Sequence, residues 1–113
     1  MNRSLARIAC TSLCLFAGLF LGISPVRAQD DAASLFKAKC AGCHGPDGSA
    51  NTAAGKSMKI RDLHSADVQK QTDAELTEII TTGKSPMPAY KDKLSADQIK
   101  NLVAYIRELG RKK

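Results

Sequence analysis

A chain of 113 residues with 17 basic and 11 acidic side chains, no tryptophan, two tyrosines and three phenylalanines has room for one small domain and little aromatic surface with which to build its core. Its formal charge of +6 is not gathered into a basic stripe interleaved with aromatics, which argues against nucleic acid as a partner. The one basic cluster, Arg111-Lys112-Lys113, is a solvated chain end.

Arg3 and Arg7 precede an uncharged, mostly apolar run from Ile8 to Ile23, and Val26-Arg27-Ala28 supplies the small residues of a cleavage site. The pattern predicts a secretory signal peptide over residues 1–28, cut before Gln29, and hence a periplasmic protein. Read instead as an uncleaved anchor, the run is shorter than the ~20 residues a spanning helix needs, so no stable membrane insertion is expected after cleavage. Cys10 and Cys14 leave with the leader. Residues 29–113 then form one domain with two cysteines, Cys40 and Cys43, and no structural disulfide. With Arg3, Arg7 and Arg27 gone, 14 basic residues face 11 acidic ones, a net +3.

The first helix of the domain is expected to begin near Asp30 and Asp31, whose charges suit a helix N-terminus. Ala32, Leu35, Phe36, Cys40 and Cys43 step by three and four along it. It delivers Cys40-Ala41-Gly42-Cys43-His44, and Gly45-Pro46 should stop it. Two thiols followed at once by an imidazole form the attachment signal for a covalently bound c-type haem. Helical spacing sets Cys43 and His44 on the side of Cys40, so sulfur can hold a flat macrocycle by its rim while the imidazole reaches the iron. A zinc site is disfavoured, because two adjacent residues would have to ligate one tetrahedral ion and only His64 could add to them. A thioredoxin-like dithiol expects strands, whereas the runs here are rich in Ala, Lys and Leu. With so few aromatics, the haem is expected to be the largest single piece of the core.

Between Gly45 and Ile60 the composition turns to Gly, Asp, Ser and Asn, which predicts an irregular loop along one haem edge. A short helical turn is expected over 65–70. Thr72-Asp73-Ala74-Glu75 reads as a capping box opening a second helix with Leu76, Ile79 and Ile80 as its buried stripe and Gly83 at its end. Ser95 to Gln98 repeats that grammar for a third helix, with Ile99, Leu102, Val103, Ile106 and Leu109 on one face and Gly110 as its stop.

Met87, in Ser85-Pro86-Met87-Pro88, is the candidate for the second axial position. Pro86 fixes its own φ and Pro88 keeps Met87 out of the helical region, so the thioether is presented from a stiff loop. Packing is the alternative for any methionine, but Gly83 to Tyr90 has no periodicity that would make a core position. Met58 fits better as an apolar contact under a haem edge, and His64, beside Ser65 and Asp67, as a surface or turn histidine.

On the motif at Cys40 to His44, the Met87-Pro88 loop and the last helix, the chain resembles the small class I cytochromes c, close to the bacterial and photosynthetic six-type group. The resemblance implies an all-α cytochrome c fold, three main helices plus a short one wrapped around one covalently bound haem c. Ala32 and Phe36 match the family positions that cross the last helix, against Leu102 and Tyr105. The family often has glycine where this chain has Ala32. Many relatives hold the axial imidazole with a proline carbonyl, in a stretch that here reads Ala54-Gly55-Lys56-Ser57.

The function expected is that of a soluble one-electron carrier and not an enzyme: Cys40 and Cys43 tether the haem, and His44 and Met87 close both axial positions. Thioether sulfur on the iron would raise the potential relative to two histidines. An electron-accepting subunit of a periplasmic dehydrogenase or oxidase is the alternative, and a haem enzyme or gas sensor would need a labile sixth site. A monomer is expected, with redox proteins as partners. Lys37, Lys39, Lys56, Lys84, Lys91 and Lys93 lie near the ligand segments and would steer acidic partners to the haem edge.

Overall fold

The computed structural model describes residues 25–112, so most of the leader expected over residues 1–28 lies outside the described residues. Six helices follow one another: α1 Pro25–Lys39, α2 Ala41–His44, α3 Ala53–Ser57, α4 Ala66–Gln69, α5 Asp73–Thr82 and α6 Ala96–Arg111. No strand occurs among the described residues. The fold is all-α: α1, α5 and α6 are the three long helices, and three short ones join them where one was expected.

Both capping boxes form. Thr72 accepts from the Glu75 N–H while Glu75 reaches back to the Thr72 N–H at 2.7 Å, and Ser95 and Gln98 repeat the exchange at the start of α6. Each satisfies two backbone donors that a bare helix end would leave open. α5 stops at Gly83, whose φ of +78° with ψ of 161° is a backbone that side chains other than hydrogen resist. α6 buries Ile99, Leu102, Val103, Ile106 and Leu109, the stripe legible in the sequence.

Three helix boundaries differ from expectation. α1 starts at Pro25 and not near Asp30, so Asp30 and Asp31 lie inside it. The chain turns at Cys40, and the motif continues as the separate turn α2, with the His44 N–H on the Cys40 carbonyl at 2.9 Å. α6 runs through Gly110 to Arg111. Gly110 serves packing instead: a Cβ there would lie 2.6 Å from both amide heteroatoms of Gln69. Gln69 uses that space to donate to the carbonyls of Leu63 at 2.7 Å and Ile106 at 3.1 Å.

α1 and α5 both pack on α6, and α2 joins α1 to α3. Phe36 and Leu102, at 2% and 1% exposure, are the most deeply buried large side chains. Phe36 stacks tilted on Tyr105 with ring centroids 5.3 Å apart, and Ala32 is buried one turn earlier, so the crossing of the first and last helices uses the expected residues. The remaining core comes from Leu63, Val68, Leu76, Ile80, Leu94 and the α6 stripe. No fully buried polar or charged residue occurs among the described residues. None of the described helices is long and apolar enough to cross a membrane.

Candidate functional site

The helices do not close on themselves. They enclose a cavity of about 250 Å³, lined by Phe36, Leu63, Val68, Leu76, Ile79, Ile80, Leu94, Leu102 and Ile106 on its apolar walls. Cys40 and His44 stand on one side of it, and Lys84 to Met87 with Tyr90 on another. Left unfilled, such a volume would forfeit as much as ~6 kcal/mol at ~24 cal/mol per Å³, comparable with the whole stability of a small domain. A large, flat, apolar group at the centre removes that deficit.

A smaller cavity of about 90 Å³ adjoins it, lined by Cys40, Cys43, His44, Met58, Ile60, Pro86, Met87 and Pro88 among others. The two sulfurs, the imidazole and the thioether of the sequence motif therefore converge, although 43 residues separate His44 from Met87. Met58 lines the small cavity only and is 40% exposed. His64 lines neither cavity; its Nδ1 lies 2.6 Å from Asp62 and its backbone N–H donates to the same carboxylate at 2.8 Å.

His44 is partly buried, and Phe36 sits against its ring at 6.5 Å between centroids. Burial pushes its pKa below the ordinary histidine value, so the ring is held neutral with a lone pair to offer. Burial, reinforced by the charge of Cys43, pushes the Cys40 thiol up to about 11. His44 Nδ1 is buried and has no hydrogen-bond partner among the described residues. The cavity, its neutral imidazole, the facing thioether and the thiols at its rim form a donor set that fits a haem.

The loop after the motif is held from beneath by α3, which the sequence did not reveal. Thr52 caps α3 by accepting from the Gly55 N–H at 2.8 Å, and its hydroxyl donates to the Cys43 carbonyl at 2.9 Å. On the other side, the Met87 N–H donates to the Lys84 carbonyl at 2.8 Å and the Lys84 N–H to the Met87 carbonyl at 3.1 Å, so the stiff loop expected there is a tight turn. Tyr90 ties the two sides together: its hydroxyl donates to the carbonyl of Lys39, next to Cys40, at 3.1 Å. Sequence reasoning had not singled out this role of Tyr90.

Described residues that are helical throughout their regular structure and gather two thiols, an imidazole and a thioether around two adjoining cavities define a haem-binding protein. The sequence model of the family described as "Cytochrome C oxidase, cbb3-type, subunit III" matches residues 27–106. A "Cytochrome c6-like" protein of Nostoc sp. is 32% identical over 99% of this chain and 97% of its own, and the "Cytochrome c6" of Rippkaea orientalis is 40% identical over 73% of each. A solved structure, "KustC0563 c-type cytochrome", superposes with a TM-score of 0.65 at 32% identity, over 70% of this chain and 96% of its own. The chain belongs to the class I c-type cytochromes. Its cofactor is therefore a covalently bound haem c, and its class activity is electron transfer.

Proposed function

We propose that this chain is an exported, soluble one-electron carrier in which Cys40 and Cys43 form the thioether bonds to the haem, and His44 and Met87 are its two axial ligands. The observation that carries the reading is the convergence of His44 and Met87 on the cavity that Cys40 borders. When bound, the haem supplies a single reversible electron at its iron.

The residues around it keep the ligands still. The α2 turn fixes the imidazole, with Phe36 against it, and the Lys84–Met87 turn fixes the thioether. Two protein ligands leave no position for dioxygen or peroxide, which supports a carrier over an enzyme, and thioether ligation supports a higher potential than two histidines would give. Met58, exposed at the margin, and His64, turned toward Asp62, are poorer candidates for the sixth position.

The leader pattern at residues 1–28 supports a periplasmic location. Lys37, Lys39, Lys56, Lys84, Lys91 and Lys93 are all exposed, and Lys39 and Lys84 line the two cavities, which supports acidic redox proteins as partners to a monomer. A second reading is favoured by the family that matches residues 27–106, whose description is that of an oxidase subunit: this domain is the electron-accepting subunit of an oxidase or dehydrogenase. Gel filtration of the native complex separates the two, since a free carrier elutes alone.

Absorption spectroscopy of the haem-loaded protein beside Met87→Ala tests the ligand assignment. The variant loses the methionine-to-iron charge-transfer band, and its reduced form takes up carbon monoxide where the parent does not. Survival of the band in Met87→Ala transfers the sixth position to Met58.

A further inference from the structure

Leu102 and Ile106 of α6 line the large cavity, and α1 and α5 each pack on that helix. The small cavity has no α6 residue in its lining. The two walls are therefore hinged on α6 and face each other across the small cavity through the segments around Cys40 and Met87. Among the described residues, a single hydrogen bond runs directly between residues 39–44 and residues 84–94: the Tyr90 hydroxyl donates to the Lys39 carbonyl at 3.1 Å. We propose that this hydroxyl is the latch of the sixth ligand, a positioning group that sets how often Met87 leaves the iron, an inference that rests on the ligand assignment above.

Each wall is stiff on its own. The Cys40 N–H donates to the Phe36 carbonyl at 2.8 Å and the Thr52 hydroxyl holds the Cys43 carbonyl, so the motif moves with α1 and α3. Opposite, the Tyr90 N–H donates to the Ile80 carbonyl at 3.0 Å and the Lys91 N–H to the Thr81 carbonyl at 3.1 Å, which sews the Met87 turn to the end of α5. Gly83 lets that seam close, because a Cβ there would lie 2.7 Å from the Ala89 nitrogen and 2.8 Å from the Met87 carbonyl oxygen. With both backbones fixed, drawing the Met87 turn away from His44 means moving one wall against the other. The bond that crosses between them resists that motion directly.

Donor and acceptor are both placed before they meet. The Tyr90 ring lines both cavities, its carbonyl accepts from the Lys93 and Leu94 N–H groups at 2.9 Å, and Lys93 Nζ lies 5.6 Å from the ring centroid. Lys39 is the last residue of α1 and directly precedes Cys40. Groups held in this way lose little freedom on pairing, so the bond keeps most of its strength as a restraint.

The test uses ferric, haem-loaded protein mixed with excess imidazole. An external ligand that enters only after Met87 departs binds at a limiting rate equal to that of departure, read as the decay of the methionine-to-iron charge-transfer band. Tyr90→Phe keeps the ring and loses the hydroxyl, so its limiting rate is expected to rise about fivefold, the factor that one net hydrogen bond represents. Arg107→Ala, which removes hydrogen bonds from a residue lining neither cavity, is expected to keep the parent's limiting rate. A Tyr90→Phe rate equal to the parent's, or an equal rise in Arg107→Ala, overturns the proposal. Met87→Ala separates the two readings: survival of the band there refutes the ligand assignment and the latch with it, whereas an unaltered Tyr90→Phe rate with the band lost in Met87→Ala refutes the latch alone.

Discussion

Gly55 offers a sharp test of how the motif loop is supported. It is buried in α3, and a Cβ added there would collide with the Ala50 carbonyl oxygen and lie 2.8 Å from both the Ala50 carbonyl carbon and the Cys43 carbonyl oxygen. All three are backbone atoms, so no rotamer change relieves the clash, and α3 must withdraw. Withdrawal also stretches the 2.9 Å bond from Thr52 to Cys43. Overpacking of this kind costs about 1–3 kcal/mol and the lost hydrogen bond about 1 more, so Gly55→Ala should destabilise the haem-loaded protein by about 3 kcal/mol. For a domain this small that lowers the melting temperature by roughly 12–24 °C. Gly42→Ala is the internal control: it lies in the motif, but nothing stands within 4 Å of its added Cβ, so the change should be within about 1 kcal/mol and toward stability. Thermal melts followed at the haem absorbance measure both. If Gly55→Ala melts within about 2 °C of the parent, α3 does not bear on the motif loop as the packing requires.

Leu102→Ala, at a position 1% exposed that also lines the large cavity, should cost about 2–5 kcal/mol, read as a lower urea midpoint with an unchanged slope. Arg107 donates to the carbonyls of Gln69 at 2.8 Å and of Gln71, and to Asp73 at 2.9 Å. Arg107→Ala should therefore cost about 2–3 kcal/mol and speed amide exchange across residues 63–73, while the midpoint potential stays near that of the parent. Hydrogen bonds from Ser49, Lys70 and Thr72 hold Asp47, Asp67 and Glu75 below the usual carboxylate range. The folded state then binds protons less readily than the unfolded one, so this stability is complete above the unfolded pKa values and fades as pH falls through the lowered ones. Glu75→Gln, which removes one of the three titrating groups, should flatten part of that acid dependence in urea titrations taken across the carboxylate range.

Much of the fold is local enough to be legible in the sequence. Thr72 with Glu75 and Ser95 with Gln98 carry their own hydrogen-bond partners three residues away, so α5 and α6 announce their starts without tertiary context. The same holds for Cys40 to His44, whose chemistry is written in adjacent letters. α3 was not legible, because a helix of five residues has no periodicity and depends on Thr52 meeting a carbonyl nine residues earlier in the chain. Gly110 read as a stop because only distant contact with Gln69 reveals why a side chain is missing there. The break at Cys40 divides what apolar spacing joined, since the spacing of Ala32 to Cys43 is blind to a single turn residue.

The hydroxyl of Tyr90, resting on the carbonyl beside Cys40, has a kinetic consequence. On the proposed ligation it joins the segment that carries Met87 to the one that carries Cys40, the two parts that would have to hold still as the charge between them alters. Exchange between redox centres is fast when few nuclei must rearrange. In the proposed carrier, one phenol oxygen would contribute to that economy by linking positions 51 apart in the chain.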